Sequence, residues 1–135
     1  MTQPTPEDPV EILKSAHAAF NEGDIETALG LFDEDIEWTR PAVGTVQGRT
    51  AVLEEIFLPL AELLEEHEAD YHIEVDTYLS EGEEVAAFGR GILSKDDETV
   101  ELPFAQHWQV VDGKLLSAQN YRDPAEFNEF LGINA

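Results

Sequence analysis

Two side chains near the C-terminus, His107 and Asp123, are of types that can perform acid–base chemistry. Side chains alternate along a strand, so His107 shares a face with Gln109, and on the next strand Asp123 shares a face with Tyr121. The turn at Asp112-Gly113 joins the two strands, and pairing across it brings His107 and Asp123 toward one wall of the sheet if Asp123 is still in the strand. A carboxylate at the mouth of an apolar cavity could take a proton from a carbon next to a carbonyl.

Both residues also have a structural interpretation. An aspartate before a proline is a common helix cap, so Asp123 could simply cap a short helix that begins at Pro124. His107 could be a hydrogen-bonded, partly buried strand histidine. The direction of the Asp123 side chain, into a cavity or outward as a cap, distinguishes the two interpretations.

Arginines and aromatic residues supply further candidates for binding. Arg90 and Arg122 are two of only four arginines, and they could neutralise an acidic group of a substrate or, more commonly, pair with Asp or Glu. Aromatic walls suit an apolar ring, and four residues could line such a cavity or belong to the core: Phe20, Trp38, Phe57 and Tyr121. Gln109, on the predicted His107 face, is a further candidate contact for a substrate.

The sequence predicts neither a metal site nor a cofactor site. His17, His67 and His72 have no partner at the spacing of metal ligands, and we expect them on the surface or on a helix face. The chain has no EF-hand loop, zinc pattern or glycine-rich phosphate loop. It also has no cysteine, which excludes disulfides and thiolate chemistry.

The chain is strongly acidic, with 30 Asp and Glu against seven Lys and Arg and a formal net charge of −23. Such a surface repels nucleic acid and anionic membranes, so neither is an expected partner. Because the acids are spread along the whole chain, the composition favours a protein adapted to a salt-rich cytoplasm, where salt screens the repulsion. The chain has no apolar run long enough to span a membrane and no signal-peptide pattern, so we predict a cytoplasmic location.

The periodicity predicts one α+β domain over residues 1–135, with residues 1–7 as a flexible tail. Helices are predicted from Asp8-Pro9 to Gly23, from an Asp24 cap, and from a Thr50 cap with a kink or break at Pro59. A short strand is expected at 36–39, followed by a loop from Pro41 to Gly48. A four-strand meander follows (71–79, 85–94, 100–111, 114–122), and then a short terminal helix.

Four stretches resemble SnoaL-like proteins of the NTF2-like superfamily. These are the Ala-Phe-Asn-Glu-Gly-Asp link at 19–24, the strand entry at 32–38, the Gln-Gly-Arg-Thr-Ala-Val helix start at 47–52, and the hairpin at 107–115. The resemblance implies a cone-shaped fold in which three N-terminal helices pack on a curved, mainly antiparallel sheet around an apolar cavity. It also implies a homodimer through the outer face of the sheet, on which we expect Phe104, Trp108 and Val110.

The resemblance to the polyketide-cyclase branch gives Asp123 and His107 their implied roles. In that branch the last strand ends in a catalytic aspartate followed by a short helix closing in Leu-Gly, as Leu131-Gly132 does here. The implied activity is cofactor-independent cyclisation or isomerisation of a small apolar or aromatic carbonyl compound. Asp123 would be the base, and His107 would orient it or polarise a substrate oxygen. The alternative is a non-catalytic ligand-binding or structural dimer with the same fold.

Overall fold

The structure, a computed structural model, describes residues 8–40 and 44–132, so the predicted tail over residues 1–7 lies outside the described residues. The helices are α1 (Pro9–Asn21), α2 (Ile25–Gly30), α3 (Arg49–Val52), a π-helical segment (Leu53–Phe57), α4 (Leu58–Glu66) and α5 (Pro124–Leu131). The strands are β1 (Phe32–Arg40), β2 (Gly44–Gln47), β3 (Ala69–Glu81), β4 (Glu84–Lys95), β5 (Glu98–Val111) and β6 (Lys114–Arg122). None of the described helices is long and apolar enough to cross a membrane.

The strands form one six-stranded sheet in the order β2-β1-β6-β5-β4-β3. β1 runs parallel to β6, and the other neighbouring pairs are antiparallel. The predicted meander from β3 to β6 is confirmed, and its last turn has positive φ at both Asp112 (51°) and Gly113 (77°), as a tight two-residue hairpin turn requires. The predicted α+β class is therefore confirmed.

The helix starts agree with the sequence in two cases and differ in the third. The Asp8 carboxylate accepts a hydrogen bond from the Val10 amide, and Asp24 caps α2 in the same way. The predicted Thr50 cap is wrong, because α3 already begins at Arg49 after Gly48. Gly48 has a φ of 98°, a conformation that favours glycine, and its backbone amide donates to the Ile36 carbonyl at 2.7 Å.

Pro59 interrupts the α-helical hydrogen bonding, as predicted, but the helix continues. Proline has no N–H, and its ring crowds the carbonyl four residues earlier, here that of Glu55. The turn before it is a π-helical segment, Leu53–Phe57, in which the Leu58 amide donates to the Leu53 carbonyl. Because the π-helical turn is wider, α3, the π-helical segment and α4 form one continuous helix. This helix forms one wall of the pocket described below.

The strand before this helix is longer than the sequence predicted, and a second strand was missed. β1 covers Phe32–Arg40 rather than 36–39. The predicted loop is wrong over Gly44–Gln47, which form β2 and pair with the end of β1. Residues 41–43, where the loop was expected to open, lie outside the described residues.

The helices cover one face of the sheet, and the apolar side chains of β5 point toward them. Phe104, Trp108 and Val110 are buried, so the prediction that they form the outer face is wrong. Hydrophobic burial explains the difference, since β5 carries its largest apolar side chains at these alternate positions and the helices bury that face. The outer face instead carries Phe88 and Tyr121, whose exposed fractions are 43% and 47%.

Candidate functional site

A pocket of about 270 Å³ lies between the inner face of the sheet and the helices. α1, the π-helical segment and α4 form one side, and β1, β3, β5 and β6 form the other, with α5 at the edge. This is a typical position for a small-molecule site, and the volume is slightly below the usual range of about 300 to 1,000 Å³.

Five aromatic rings form the apolar wall of the pocket: Phe20, Phe32, Trp38, Phe57 and Trp108. Trp38 stands edge-on to Trp108 at a centroid distance of 5.4 Å, and edge-on to Phe57 at 5.7 Å. Edge-to-face contacts of this kind favour one arrangement of the rings. The wall is therefore a packed surface that a flat apolar ring could meet.

A hydrogen-bonded chain of polar side chains crosses this wall. The Trp108 indole Nε1 donates to the Gln106 Oε1 at 2.9 Å. The same oxygen lies 2.9 Å from the Nε2 of His17, whose Nδ1 lies 2.8 Å from the Tyr78 hydroxyl. Because indole can only donate, it fixes the Gln106 oxygen at this position, so His17 donates from Nε2 and accepts the Tyr78 proton at Nδ1.

His17 lies on a helix face, as one of the two expectations had it, but on the buried face of α1, so the expectation of a surface position is wrong. Desolvation lowers the pKa of His17 from 6.5 to about 4, and the hydrogen bond to Gln106 opposes only part of that shift. The imidazole is therefore neutral at pH 7. Its position could have been found in the sequence, since it follows Leu13 by four residues and precedes Phe20 by three on the apolar stripe of α1.

Two further polar side chains continue this row across the sheet. Gln106 pairs with Asn120 on β6, and Asn120 lies beside Arg40 because the neighbouring parallel pair is Thr39 with Gln119. Within the described residues, the Asn120 Oδ1 and the Arg40 Nε are buried without a hydrogen-bond partner, and so is the Trp38 Nε1. Buried polar atoms normally have a hydrogen-bond partner. A polar group of a ligand would therefore contribute most to the free energy of binding in this half of the pocket.

The pocket opens along β6 toward α5. Exposure increases from the buried Ala118 through the half-buried Asn120 to the exposed Arg122. The Arg122 guanidinium lies over the Phe127 ring, 5.3 Å from its centroid. Burial raises the pKa of the nearby Tyr71, and the positive charge of Arg122 opposes that rise.

The structure places Asp123 at the start of α5, outside the pocket lining. Its side chain is exposed, and its Oδ1 accepts a hydrogen bond from the Ala125 amide at 2.9 Å. This is the capping geometry that the sequence left open as the alternative. A catalytic role for Asp123 stays a prediction.

His107, Gln109 and Tyr121 lie on the outer face of the sheet, so the prediction that His107 and Asp123 share a pocket wall is wrong. The His107 Nε2 lies 2.7 Å from a carboxylate oxygen of Glu84, and the Tyr121 hydroxyl donates to the Gln119 Oε1 at 2.6 Å. Alternation correctly grouped these residues, but it does not tell which group faces inward. The roles predicted for them are not supported by contact with the pocket.

Arg90 also lies on the outer face and pairs with acids, the commoner of the two outcomes considered. Its guanidinium nitrogens lie 2.8 Å from Glu74, 2.9 Å from Asp76 and 2.9 Å from Glu101. The bonds to Asp76 contribute most to holding the pKa of Arg90 above its usual value. Arg90 therefore cross-links three strands.

Three of the predicted aromatic residues, Phe20, Trp38 and Phe57, do line the pocket, and Arg122 stands at its mouth. Sequence reasoning missed the polar row of His17, Arg40, Asn120 and Gln106. Its signal was the presence of polar residues on the apolar face of each strand, for example Gln106 between Phe104 and Trp108. Within residues 8–40 and 44–132 there is no group of three or more His, Asp or Glu side chains that could hold a metal ion.

The model of the SnoaL-like domain family matches residues 13–118 of the chain. The structure of TerC co-crystallized with polyporic acid has 23% identity and a TM-score of 0.78, covering 92% of this chain and 98% of that one. IdmH from Streptomyces antibioticus, described as a putative polyketide cyclase, has 19% identity and a TM-score of 0.78, covering 94% and 100%.

An NTF2-like protein of unknown function from Burkholderia pseudomallei has 19% identity and a TM-score of 0.76, covering 93% of this chain and 98% of that one. No curated protein matches the chain in sequence. At identities this low, the structural similarity establishes a shared fold and nothing more. The family match is separate evidence, and it covers more than half of the chain. The chain belongs to the SnoaL-like domain family and has the NTF2-like fold.

Proposed function

We propose that the protein binds a small, mostly apolar, ring-containing molecule between its helices and its sheet. The observation that carries this proposal is the pocket of about 270 Å³ with its wall of packed aromatic rings. Burying an apolar ring there removes both surfaces from water, and each Å² of apolar surface buried contributes about 25 cal/mol. The pocket volume limits the ligand to about two fused rings with a short substituent.

The unpaired polar atoms of the pocket support a ligand with one polar substituent. Trp38 and Arg40 offer N–H donors, which suit a carbonyl or another acceptor oxygen. Family membership is consistent with a small-molecule ligand, as are the polyporic acid co-crystallized with TerC and the description of IdmH as a putative polyketide cyclase. An aromatic carbonyl compound is therefore the class to test first.

The test is calorimetric titration with 2-acetylnaphthalene, an aromatic ketone of two fused rings. Ala16 lines the pocket from α1, whereas Ala18 on the same helix is exposed. We expect saturable binding to the protein and to Ala18→Phe, and at least about tenfold weaker binding to Ala16→Phe because the added ring fills the pocket. Equal affinity in both variants would place the binding site elsewhere.

The second proposal is acid–base catalysis on a carbonyl compound, with Asp123 as base and His107 assisting. The description of IdmH favours it, whereas the cap geometry of Asp123 favours the non-catalytic alternative. Asn caps helices about as well as Asp, so Asp123→Asn should remain folded and should lose activity steeply if Asp123 is the base. Turnover equal to that of the unchanged protein would discard the assignment.

A homodimer through the outer face is a further part of this proposal. The exposed rings of Phe88 and Tyr121 would lie at its centre. Light scattering at high salt should give twice the mass of the chain, and a monomeric mass would contradict the dimer.

A further inference from the structure

The pocket carries positive charge in a chain that is otherwise strongly negative. Of the four arginines, Arg40 and Arg122 line the pocket. Among the described lining residues, one is acidic, Glu55. With His17 neutral, the described lining is positive, although the whole chain has a formal net charge of −23. Composition alone would predict the opposite sign at almost any surface.

These two arginines differ from Arg90 in their partners. Arg90 is held by three carboxylates at 2.8 to 2.9 Å. No carboxylate of residues 8–40 and 44–132 lies within salt-bridge distance of Arg40 or Arg122. Among the described residues, Arg49 has no such partner either, but it lies outside the pocket lining. Arg40 and Arg122 are set apart because they combine the missing carboxylate with a place in the pocket lining.

Arg40 is the more informative of the two, because it is half-buried and its Nε is buried without a partner in the described part of the chain. Removing a guanidinium from water without an anion costs free energy that a charged ligand can offset through charge-assisted hydrogen bonds. Arg122 follows two residues after Asn120 on the same face of β6, about 7 Å further toward the opening. An anion that enters the pocket would meet Arg122 first and then Arg40.

We propose that the ligand of this pocket is an anion, an aromatic or apolar acid whose carboxylate or similarly acidic oxygen is bound by Arg40, with Arg122 adding attraction at the mouth. The inference rests on the proposed function, because it assigns a charge to the ligand of that same pocket. The apolar part of the acid would lie on the aromatic wall around Trp38. The Asn120 amide beside Arg40 would contact the same polar group.

The test compares 1-naphthoate, an anion, with 1-naphthamide, a neutral molecule with the same rings, by calorimetry at one fixed salt concentration. We expect naphthoate to bind about tenfold tighter or more, as charge-assisted hydrogen bonds imply. Arg40→Gln should remove this preference while naphthamide still binds within about twofold, which shows that the pocket is intact. Arg40→Lys keeps the charge and should keep most of the preference, and Arg90→Gln, which removes an arginine from the outer face, should keep all of it.

Each contrary result has a distinct meaning. If naphthamide binds as well as naphthoate or better, the ligand is not selected for negative charge, and the anion proposal fails while the pocket remains a binding site. A preference for naphthoate that persists in both Arg40→Gln and Arg122→Gln also overturns the anion proposal. If neither probe binds and 2-acetylnaphthalene does not bind either, the proposed function itself fails. If Arg40→Gln binds neither probe, Arg122→Gln becomes the deciding variant. It must then reduce the preference for naphthoate over naphthamide by about threefold or more, and an unchanged preference overturns the anion proposal.

Discussion

His17 joins the pocket wall to Tyr78 through two hydrogen bonds, and only the one in which its Nδ1 accepts from Tyr78 requires the neutral imidazole. Its Nε2 proton goes to Gln106, and its Nδ1 accepts from Tyr78, which is itself a poor acid because burial raises the pKa of Tyr78 to about 12. Protonating the imidazole would put a proton on Nδ1, so that Nδ1 could no longer accept from the Tyr78 hydroxyl. His17 therefore holds Gln106 and Trp108 in place rather than offering a free base to a ligand.

The buried His17 should make the protein less stable in mild acid. In the unfolded chain the imidazole takes up a proton below about pH 6.5, and in the folded chain only below about pH 4. Between these values the unfolded state binds more protons, so the free energy of unfolding falls as the pH is lowered from 6.5 to 4. Denaturant unfolding at pH 7 and pH 4.5 should show a loss that is larger in the protein than in His17→Gln, by on the order of 2 kcal/mol.

All other titratable groups are common to the protein and the variant, so the difference isolates His17. An equal loss in both would mean that His17 is not held in its neutral form.

The sequence predicted which residues share a strand face but not which face lies inside. His107, Gln109 and Tyr121 were grouped correctly and placed on the wrong side. The opposite group on β5 combines Phe104 and Trp108 with the polar Gln106. A polar residue there has to be satisfied by another element, and the partner, His17, lies 89 positions earlier in the chain. Strand periodicity carries no information about such a contact.

At the scale of elements, β3 has a β-bulge where its backbone comes unusually close to that of β4. The pairing register shifts between Val75 and Thr77 on β3, so Asp76 is an extra residue there. Gly89 on β4 lies against this bulge, and a Cβ there would overlap the Glu74 carbonyl oxygen. A bulge of this kind bends the strand that carries it.

Two glycine substitutions should therefore have opposite effects on stability. Gly89→Ala forces the bulge apart and should lower the free energy of unfolding by about 2 kcal/mol or more. Gly30→Ala, at the exposed end of α2 with nothing within 4 Å of its Cβ, should raise it by about 0.5 kcal/mol. Denaturant unfolding of both variants measures the contrast. A Gly89→Ala protein as stable as the unchanged one would show that the close contact is not required.

The elements themselves were largely predictable because their signals are local. Asp8 and Asp24 caps, the Asp112-Gly113 turn and the effect of Pro59 all depend on neighbouring residues. β2 was missed because its four residues pair with β1, and the sequence around Gly44 signals a turn instead. The contact of Asn21 with the edge strand β3 was also not predicted. The side-chain amide of Asn21 forms two 2.8 Å hydrogen bonds with the Ile73 backbone, donating one and accepting the other.

At the scale of the molecule, the acidity and the pocket belong to different surfaces. The acids lie mostly on the exposed face of each element, whereas the described pocket lining has a positive balance. Mutual repulsion among the exposed acids destabilises the compact state, and salt screens it because the Debye length falls from about 10 Å at 0.1 M to about 3 Å at 1 M.

We therefore expect the melting temperature to rise when NaCl is increased from 0.1 to 1 M (about tenfold). A thermal melt followed by circular dichroism measures it. A melting temperature that falls with added salt would contradict adaptation to a salt-rich environment.

The central claim, that the pocket binds a small aromatic molecule, is tested most directly by the indole N–H signals of the two tryptophans. Trp38 and Trp108 both line the pocket, and the chain has no other tryptophan. In a titration of the ¹⁵N-labelled protein with 2-acetylnaphthalene, we predict saturable shifts of both indole signals, present in Ala18→Phe and lost in Ala16→Phe. Unmoved indole signals, with shifts confined to backbone amides near Phe88 and Tyr121 on the outer face, would contradict the claim.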